Sequence, residues 1–226
     1  MKTKLSFLLV FYLFSLSTQA QETMAGLRLN SGLPVADFRS EVGNQWFPSI
    51  NLGFFHQLSN TPVYVGGEIG YMLYGTAMHR NNNVLNGTEQ TFRIRRNNNA
   101  AHLSGLLRIM PDLNIGIRPF VEGQIGAIHT YTRSKVRENR LTEPIAAGTE
   151  VYDWSHIFQI GAGIMVPLEK EGDLFLELRV NYVQTGSMDF LTSRDASYDN
   201  QGNVTLNTRN AAFQLLAPSL ALKFMF

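Results

Sequence analysis

Residues 218–226 read PSLALKFMF. Leu220, Leu222, Phe224 and Phe226 fall on one parity, and Ser219, Ala221, Lys223 and Met225 on the other. A strand of period two places these sets on opposite faces. One face therefore needs an apolar medium and the other a polar space. An exposed greasy strand in water invites aggregation, so the medium that covers the apolar face decides the fold.

The same alternation recurs along the chain. In AGLRLN, Leu27 and Leu29 oppose Arg28 and Asn30. In SINLGFF, Ile50, Leu52 and Phe54 oppose Ser49, Asn51 and Gly53. VYVGGEIGYMLYG sets Val63, Val65, Ile69 and Tyr71 against Glu68. AHLSGLLRI sets Leu103, Leu107 and Ile109 against His102, Ser104 and Arg108. FVEGQIGAI sets Val121 and Ile125 against Glu122 and Gln124. FQIGAGIMV and LFLELRVNY continue the pattern, the latter opposing Leu174, Leu176, Leu178 and Val180 to Glu177 and Arg179. With the C-terminal segment this makes eight strands. Within these cores every Lys, Arg and Glu lands opposite the apolar set.

Alternation alone suits a soluble sandwich equally well. Connection lengths choose between the two. QLSNTP, MPDLNIGIRP and PLEKEGD are short, whereas the connections over 34–46, 80–99, 135–152 and 191–209 are long. Strict alternation of short turns and long loops is the pattern of a transmembrane barrel. Such a sheet must close, because lipid tolerates no open edge. The expected fold is therefore all-β: an eight-stranded antiparallel up-and-down transmembrane β-barrel. Pro62, Pro111, Pro119 and Pro167 mark strand ends, whereas Pro218 lies inside the eighth strand and predicts a bulge or a lost ladder bond there. Trp46, Phe47, Tyr71, Tyr74, Tyr131, Trp154 and Tyr182 form one expected aromatic band, and Phe120, Phe175, Phe224 and Phe226 the other.

Residues 1–20 have the layout of a secretory signal peptide: Lys2 and Lys4, an apolar run from Leu5 to Leu16, then Thr18 and Ala20 before a cut. Residues 21–226 form the single expected domain. The full chain carries 19 Lys and Arg against 18 Asp and Glu. Loss of the leader removes two lysines and no acid, leaving 17 against 18. Such a balance gives no footprint for nucleic acid. The chain has no cysteine, which excludes disulfides, a lipid anchor on a thiol and thiolate metal sites. Its five histidines show no ligand spacing, so neither a metal nor a cofactor is expected.

AGLRLNSGLPVADF resembles the opening strand and first loop of the bacterial outer-membrane β-barrel domain families, including the PorT-like members of Bacteroidetes. VYVGGEIGYMLYG and RPFVEGQIGAIHTY resemble strands that recur there. The resemblance covers nearly the whole chain after the leader. It implies a Gram-negative outer membrane, reached by the general secretory route. Roles in that family range from structural barrels to components of secretion machinery, which makes secretion-system proteins candidate partners. Leu222, Phe224 and Phe226 resemble the sorting signal read by the barrel assembly machinery.

An eight-stranded barrel is just wide enough inside for side chains. Arg28, Arg108, Arg179 and Lys223 face Glu68, Glu122 and Glu177 in the expected lumen, a paired polar plug with no open diffusion pore. The long connections carry basic residues, among them Arg80, Arg93, Arg95, Arg96, Arg133, Lys135, Arg137 and Arg140. Arg93, Arg95, Arg96, Arg137 and Arg140 are the candidate contacts for lipopolysaccharide phosphates, which arginine binds in bidentate fashion. His102 and Ser104 have a spacing similar to the His-x-Ser pair of outer-membrane lipid A deacylases. Here they share the parity of Arg108, and no orienting acid is readable, so the expected role is structural or binding rather than enzymatic.

Overall fold

The computed structural model describes residues 22–226 apart from 86–87, 114, 139–141, 170–172 and 199–203, with backbone alone for 81–85 and 88–91. The expected signal peptide over 1–20 and Arg140 thus lie outside the described residues. The elements are β1 (Thr23–Pro34), α1 (Ala36–Val42), β2 (Phe47–Gln57), β3 (Val63–Leu85), β4 (Thr88–Ile109), β5 (Arg118–Arg137), β6 (Ala146–Pro167), β7 (Leu174–Phe190), the short β8 (Ala196–Tyr198) and β9 (Val204–Leu206), and β10 (Arg209–Met225).

Eight of the strands close into one antiparallel barrel in the order β1-β10-β7-β6-β5-β4-β3-β2. The seam joins the two ends of the chain, from Met24 opposite Met225 to Pro34 opposite Leu215. Among the described residues no helix is long and apolar enough to cross a membrane. The strands cross instead, and their outward residues make the apolar belt: Leu29, Leu52, Ile69, Leu103, Ile125, Ile160 and Leu220 are all exposed. Leu222, Phe224 and Phe226 join that exposed outward set.

Three features differ from the sequence expectation. First, the connections over 80–99 and 135–152 are mostly strand. β3 to β6 run 20 to 23 residues, whereas about 10 suffice to cross a bilayer. The excess rises as paired ribbons above the apolar belt, where both faces are polar and period two leaves no hydropathy signal. Second, the connection after β1 folds into α1, whose Phe38 and Val42 are buried inside the barrel mouth. Third, Phe47, Tyr74, Phe120 and Phe175 are not girdle residues: they point inward and are buried. Trp46, Tyr71, Trp154 and Tyr182 do project outward. At Pro218 the expected alternative of a lost ladder bond holds: the residue keeps register with β7, opposite Val180. On the β1 side the pairing lapses opposite Ser31 and Gly32 and resumes at Leu33 in the same register. The missing N–H thus costs ladder contact without a slip. The register shift of this pair lies earlier, where Thr185 and Gly186 of β7 stand against Phe213 alone.

The connection 191–209 carries the β8–β9 hairpin, with Tyr198 opposite Val204; the tip expected at YDNQGNV lies largely outside the described residues. Inside, an apolar cluster fills each end. Met24, Phe55, Tyr64, Met110, Phe120, Met165 and Phe175 pack at the short-turn end. Phe38, Phe47, Tyr74, Phe190 and Phe213 pack at the long-hairpin end.

Gly66 shows how tightly the wall bends. A Cβ built there would run into the Phe54 carbonyl oxygen and the Phe55 backbone on the neighbouring strand. Gly66→Leu is expected to destabilise the barrel by about 1–3 kcal/mol, the usual cost of overpacking. Urea unfolding in detergent micelles, followed by tryptophan fluorescence, measures it.

Candidate functional site

Between the two apolar clusters the inward charges meet as a ring. Arg28 on β1 bonds Glu68 on β3 and, at 2.5 Å, Glu177 on β7. Glu177 accepts from Arg108 on β4 at 2.7 Å, and Arg108 also reaches Glu122 on β5 at 2.6 Å. Glu122 pairs with Arg179 on β7, whose second nitrogen lies 3.7 Å from Glu68 and completes the circuit. Cation and anion alternate six times around the lumen, and all six residues are buried. Five strands supply them, and β7 gives both Glu177 and Arg179 because period two points alternate residues inward.

Neighbours complete the coordination. Arg108 lies between the rings of Phe55 and Phe120, 4.5 and 3.7 Å from their centroids. Asn51 Nδ2 donates to Glu68 at 2.6 Å and Gln124 Nε2 to Glu122 at 3.1 Å. Lys223 is the odd cation. It is fully buried, its ammonium lies 4.1 Å from the Phe55 centroid, and it makes no hydrogen bond among the described residues.

His102 and Ser104 also face the lumen. Ser104 Oγ donates to Gln124 Oε1 at 2.8 Å, and His102 Nε2 stands 3.9 Å from Glu68. Neither contact assembles a nucleophile with its base. Among the described residues no group of three His, Asp or Glu is placed to hold a metal ion.

The outer basic residues divide by parity. Arg96 points inward, is buried and lies 3.3 Å from Glu150; it does not share the outward face of Arg93 and Arg95. On that outward face three rows stand in register across β3, β4 and β5. Arg80 opposes Arg93, which opposes Arg137. Met78 opposes Arg95, which opposes Lys135. Thr76 opposes Asn97, which opposes Arg133. Nine positions thus hold six cations and no carboxylate. Arg80, Arg133 and Lys135 complete this face beside the three candidates that lie on it, and only the cross-strand register reveals the block. Directly beneath, Tyr131 precedes Arg133 by two residues on the same face. There His129 stacks on Trp154 at 4.3 Å and on Tyr131 at 5.4 Å.

A second outer feature is absent from the sequence expectation. Asp195, after β7, accepts Arg209 Nε at 2.9 Å and the Thr192 backbone N–H at 2.8 Å. Arg209 also reaches the Glu41 carboxylate on α1 at 3.2 Å. The clamp thereby ties the helix and the outer connection to β10.

No protein-family model matches the chain. No curated protein matches it either. Among solved structures it is similar to Neisserial surface protein A, at 9% identity over 92% of this chain and 98% of that one, with a TM-score of 0.42. A major outer membrane protein from Thermus thermophilus aligns at 12% identity over 92% and 100% of the two chains, with a TM-score of 0.49. Ail, the attachment invasion locus protein of Yersinia pestis, aligns at 12% over 91% and 97%, with a TM-score of 0.40. At such identities none of the three bears on function.

Two outcomes are expected. Glu177→Gln leaves Arg28 and Arg108 facing each other without their shared anion, which should cost about 3–5 kcal/mol. Glu41→Gln, at a water-exposed pair, should cost under about 1 kcal/mol. Urea unfolding compares them. The second concerns acid. Burial pushes the Asp195 carboxyl up, but hydrogen bonds from Arg209 and Thr192, with the Arg209 charge, outweigh it and hold the group below its usual range. A depressed carboxyl contributes stability above its unfolded value of about 3.9, and that contribution is lost as pH falls through the folded value. Protection from hydrogen exchange in 191–209, taken relative to the intrinsic rate, should therefore be steady from neutral pH to about 5 and fall below about 4. Asp195→Asn should remove that dependence.

Proposed function

We propose that this chain is an integral outer-membrane barrel of a Gram-negative cell, exported through the general secretory route, that passes no solute through its lumen and holds phosphorylated lipid headgroups against its basic outer face. The block of six registered cations carries this reading. Like charges directly opposite one another destabilise a sheet, and anions bound from outside offset that repulsion. Arginine suits phosphate because its fork gives two parallel hydrogen bonds. The block begins two residues above Tyr131, next to the outward aromatic residues, at the height where a girdle meets headgroups. Lipopolysaccharide is the lipid of that leaflet with several phosphates close together. The buried charge ring supports the closed lumen, since any solute would have to break paired charges. Leu222, Phe224 and Phe226, outward on the last strand, suit recognition by the barrel assembly machinery. A role as a PorT-like accessory of protein secretion is a finer reading, supported by the strand motifs quoted above.

The barrel in nanodiscs, with and without lipopolysaccharide, tests the headgroup role. Arg93→Glu with Arg95→Glu should weaken retention of lipopolysaccharide at least about tenfold, from the loss of charge-assisted hydrogen bonds. Wild-type retention should fall as salt is raised. Equal retention by the double variant and wild type would remove the basis for this function.

A further inference from the structure

Between the charge ring and the aromatic cluster at the mouth lies a chamber of about 40 Å³. Its floor is polar, formed by Asn51, His102 and Gln159, and its walls include Ile128, Val183 and Phe213. Two floor atoms have no hydrogen-bond partner among the described residues: Asn51 Oδ1 and His102 Nε2. Asn51 is only 4% exposed. Its Nδ2 is committed to Glu68, so Oδ1 is left over. Oδ1 and the imidazole converge over Gly70, whose missing side chain leaves them room. A buried amide oxygen without a donor is costly. Here an unused acceptor and a ring nitrogen stand side by side, which is what a single hydroxyl group can satisfy.

As closed, the chamber holds only water, since each water needs about 10–15 Å³ and a cavity that admits benzene is about 150 Å³. What restricts it is the mouth. Phe38 of α1 stacks on Phe213 at 4.4 Å and meets the edges of Phe47 and Phe190 at 6.2 and 5.8 Å. Phe213 is thus both chamber wall and stacking partner. The ring of Phe38 occupies an aromatic box that shares Phe213 with the chamber.

The element that carries Phe38 is a short helix with few polar fastenings. α1 has seven residues and no side-chain cap at Val35. It hangs between Ala36 at φ 49° and Gly43 at φ 77°, and an alanine in the left-handed region is strained. Its fastenings run to β10: Val35 N–H to the Gln214 carbonyl at 3.0 Å, Phe38 N–H to Gln214 Oε1 at 3.4 Å, and Glu41 to Arg209.

We propose that Phe38 is the resident occupant of a small-molecule site. When α1 lifts, the aromatic box and the chamber below take a single-ring aromatic compound bearing one hydroxyl, a phenol. Its ring packs on Phe213 beside the space that Phe38 vacates, and its hydroxyl donates to Asn51 Oδ1 and accepts from His102 Nε2–H. This site is inside the mouth and independent of the outer basic face.

Fluorine NMR titration of the whole barrel in nanodiscs tests it, with 4-fluorophenol and fluorobenzene as probes and empty nanodiscs to subtract partition into lipid. Phe38→Ala removes the competing ring and should bind 4-fluorophenol about tenfold more tightly than wild type, because the closed fraction no longer reduces apparent affinity. Adding Asn51→Leu should erase the preference for fluorophenol over fluorobenzene. No gain in Phe38→Ala, or a preference that survives Asn51→Leu, would overturn the proposal. If Phe38→Ala fails the heat-modifiable mobility shift of a folded barrel, Glu41→Gln with Arg209→Gln loosens α1 and leaves Phe38 in place. That variant should bind fluorophenol more tightly than wild type, and an unchanged affinity would likewise overturn it.

Discussion

A peptide group in hydrocarbon has no water to bond, so each N–H and C=O must find its partner within the protein. For a chain that crosses with strands, this leaves one solution: the first and last strands must meet. The β1–β10 seam is therefore the contact on which the rest depends. It joins residues about 200 apart in sequence, and it holds its register even where Pro218 withholds an N–H. Once it closes, each strand is committed to one apolar face outward, and its other parity is sealed inside.

That sealing sets the second constraint. Eight strands enclose little more than the side chains themselves, so inward charges have no water to retreat to. Arg28, Glu68, Arg108, Glu122, Glu177 and Arg179 resolve this by alternating in a ring, with Asn51 and Gln124 bonding carboxylate oxygens and aromatic rings flanking Arg108. A buried ring of this kind adds little net stability over an apolar filling. It does specify register, because a one-residue slip of any strand would turn its charge into lipid. The lumen is thereby layered: apolar at the turns, charged in the middle, polar above, aromatic at the mouth.

Above the apolar belt the constraint relaxes, and the two faces of each ribbon diverge in purpose. The inward face packs against the outer connections, which buries Arg96 near Glu150 and orders the Asp195–Arg209 clamp. The outward face gathers Arg80, Arg93, Arg95, Arg133, Lys135 and Arg137 beside one another. Adjacent residues such as Arg95 and Arg96 therefore serve opposite surfaces. Grouping them as one basic loop, as composition alone suggests, merges two environments.

The barrel was legible in the chain because side-chain alternation is a local, covalent property of extended backbone. Leu27, Arg28 and Leu29 declare their faces without reference to any distant residue. The number of barrel strands and the inward parity of the seven lumen charges follow from such local reading. The aromatics were harder: Phe47, Tyr74, Phe120 and Phe175 suit a lipid interface and a packed lumen equally well, and only parity carried through a closed sheet separates them. The ring, the registered basic rows, the insertion of Phe38 and the orphaned oxygen of Asn51 belong to tertiary structure alone. Each depends on which residues of different strands stand at the same height, and that register is fixed by closure of the whole sheet rather than by any one segment.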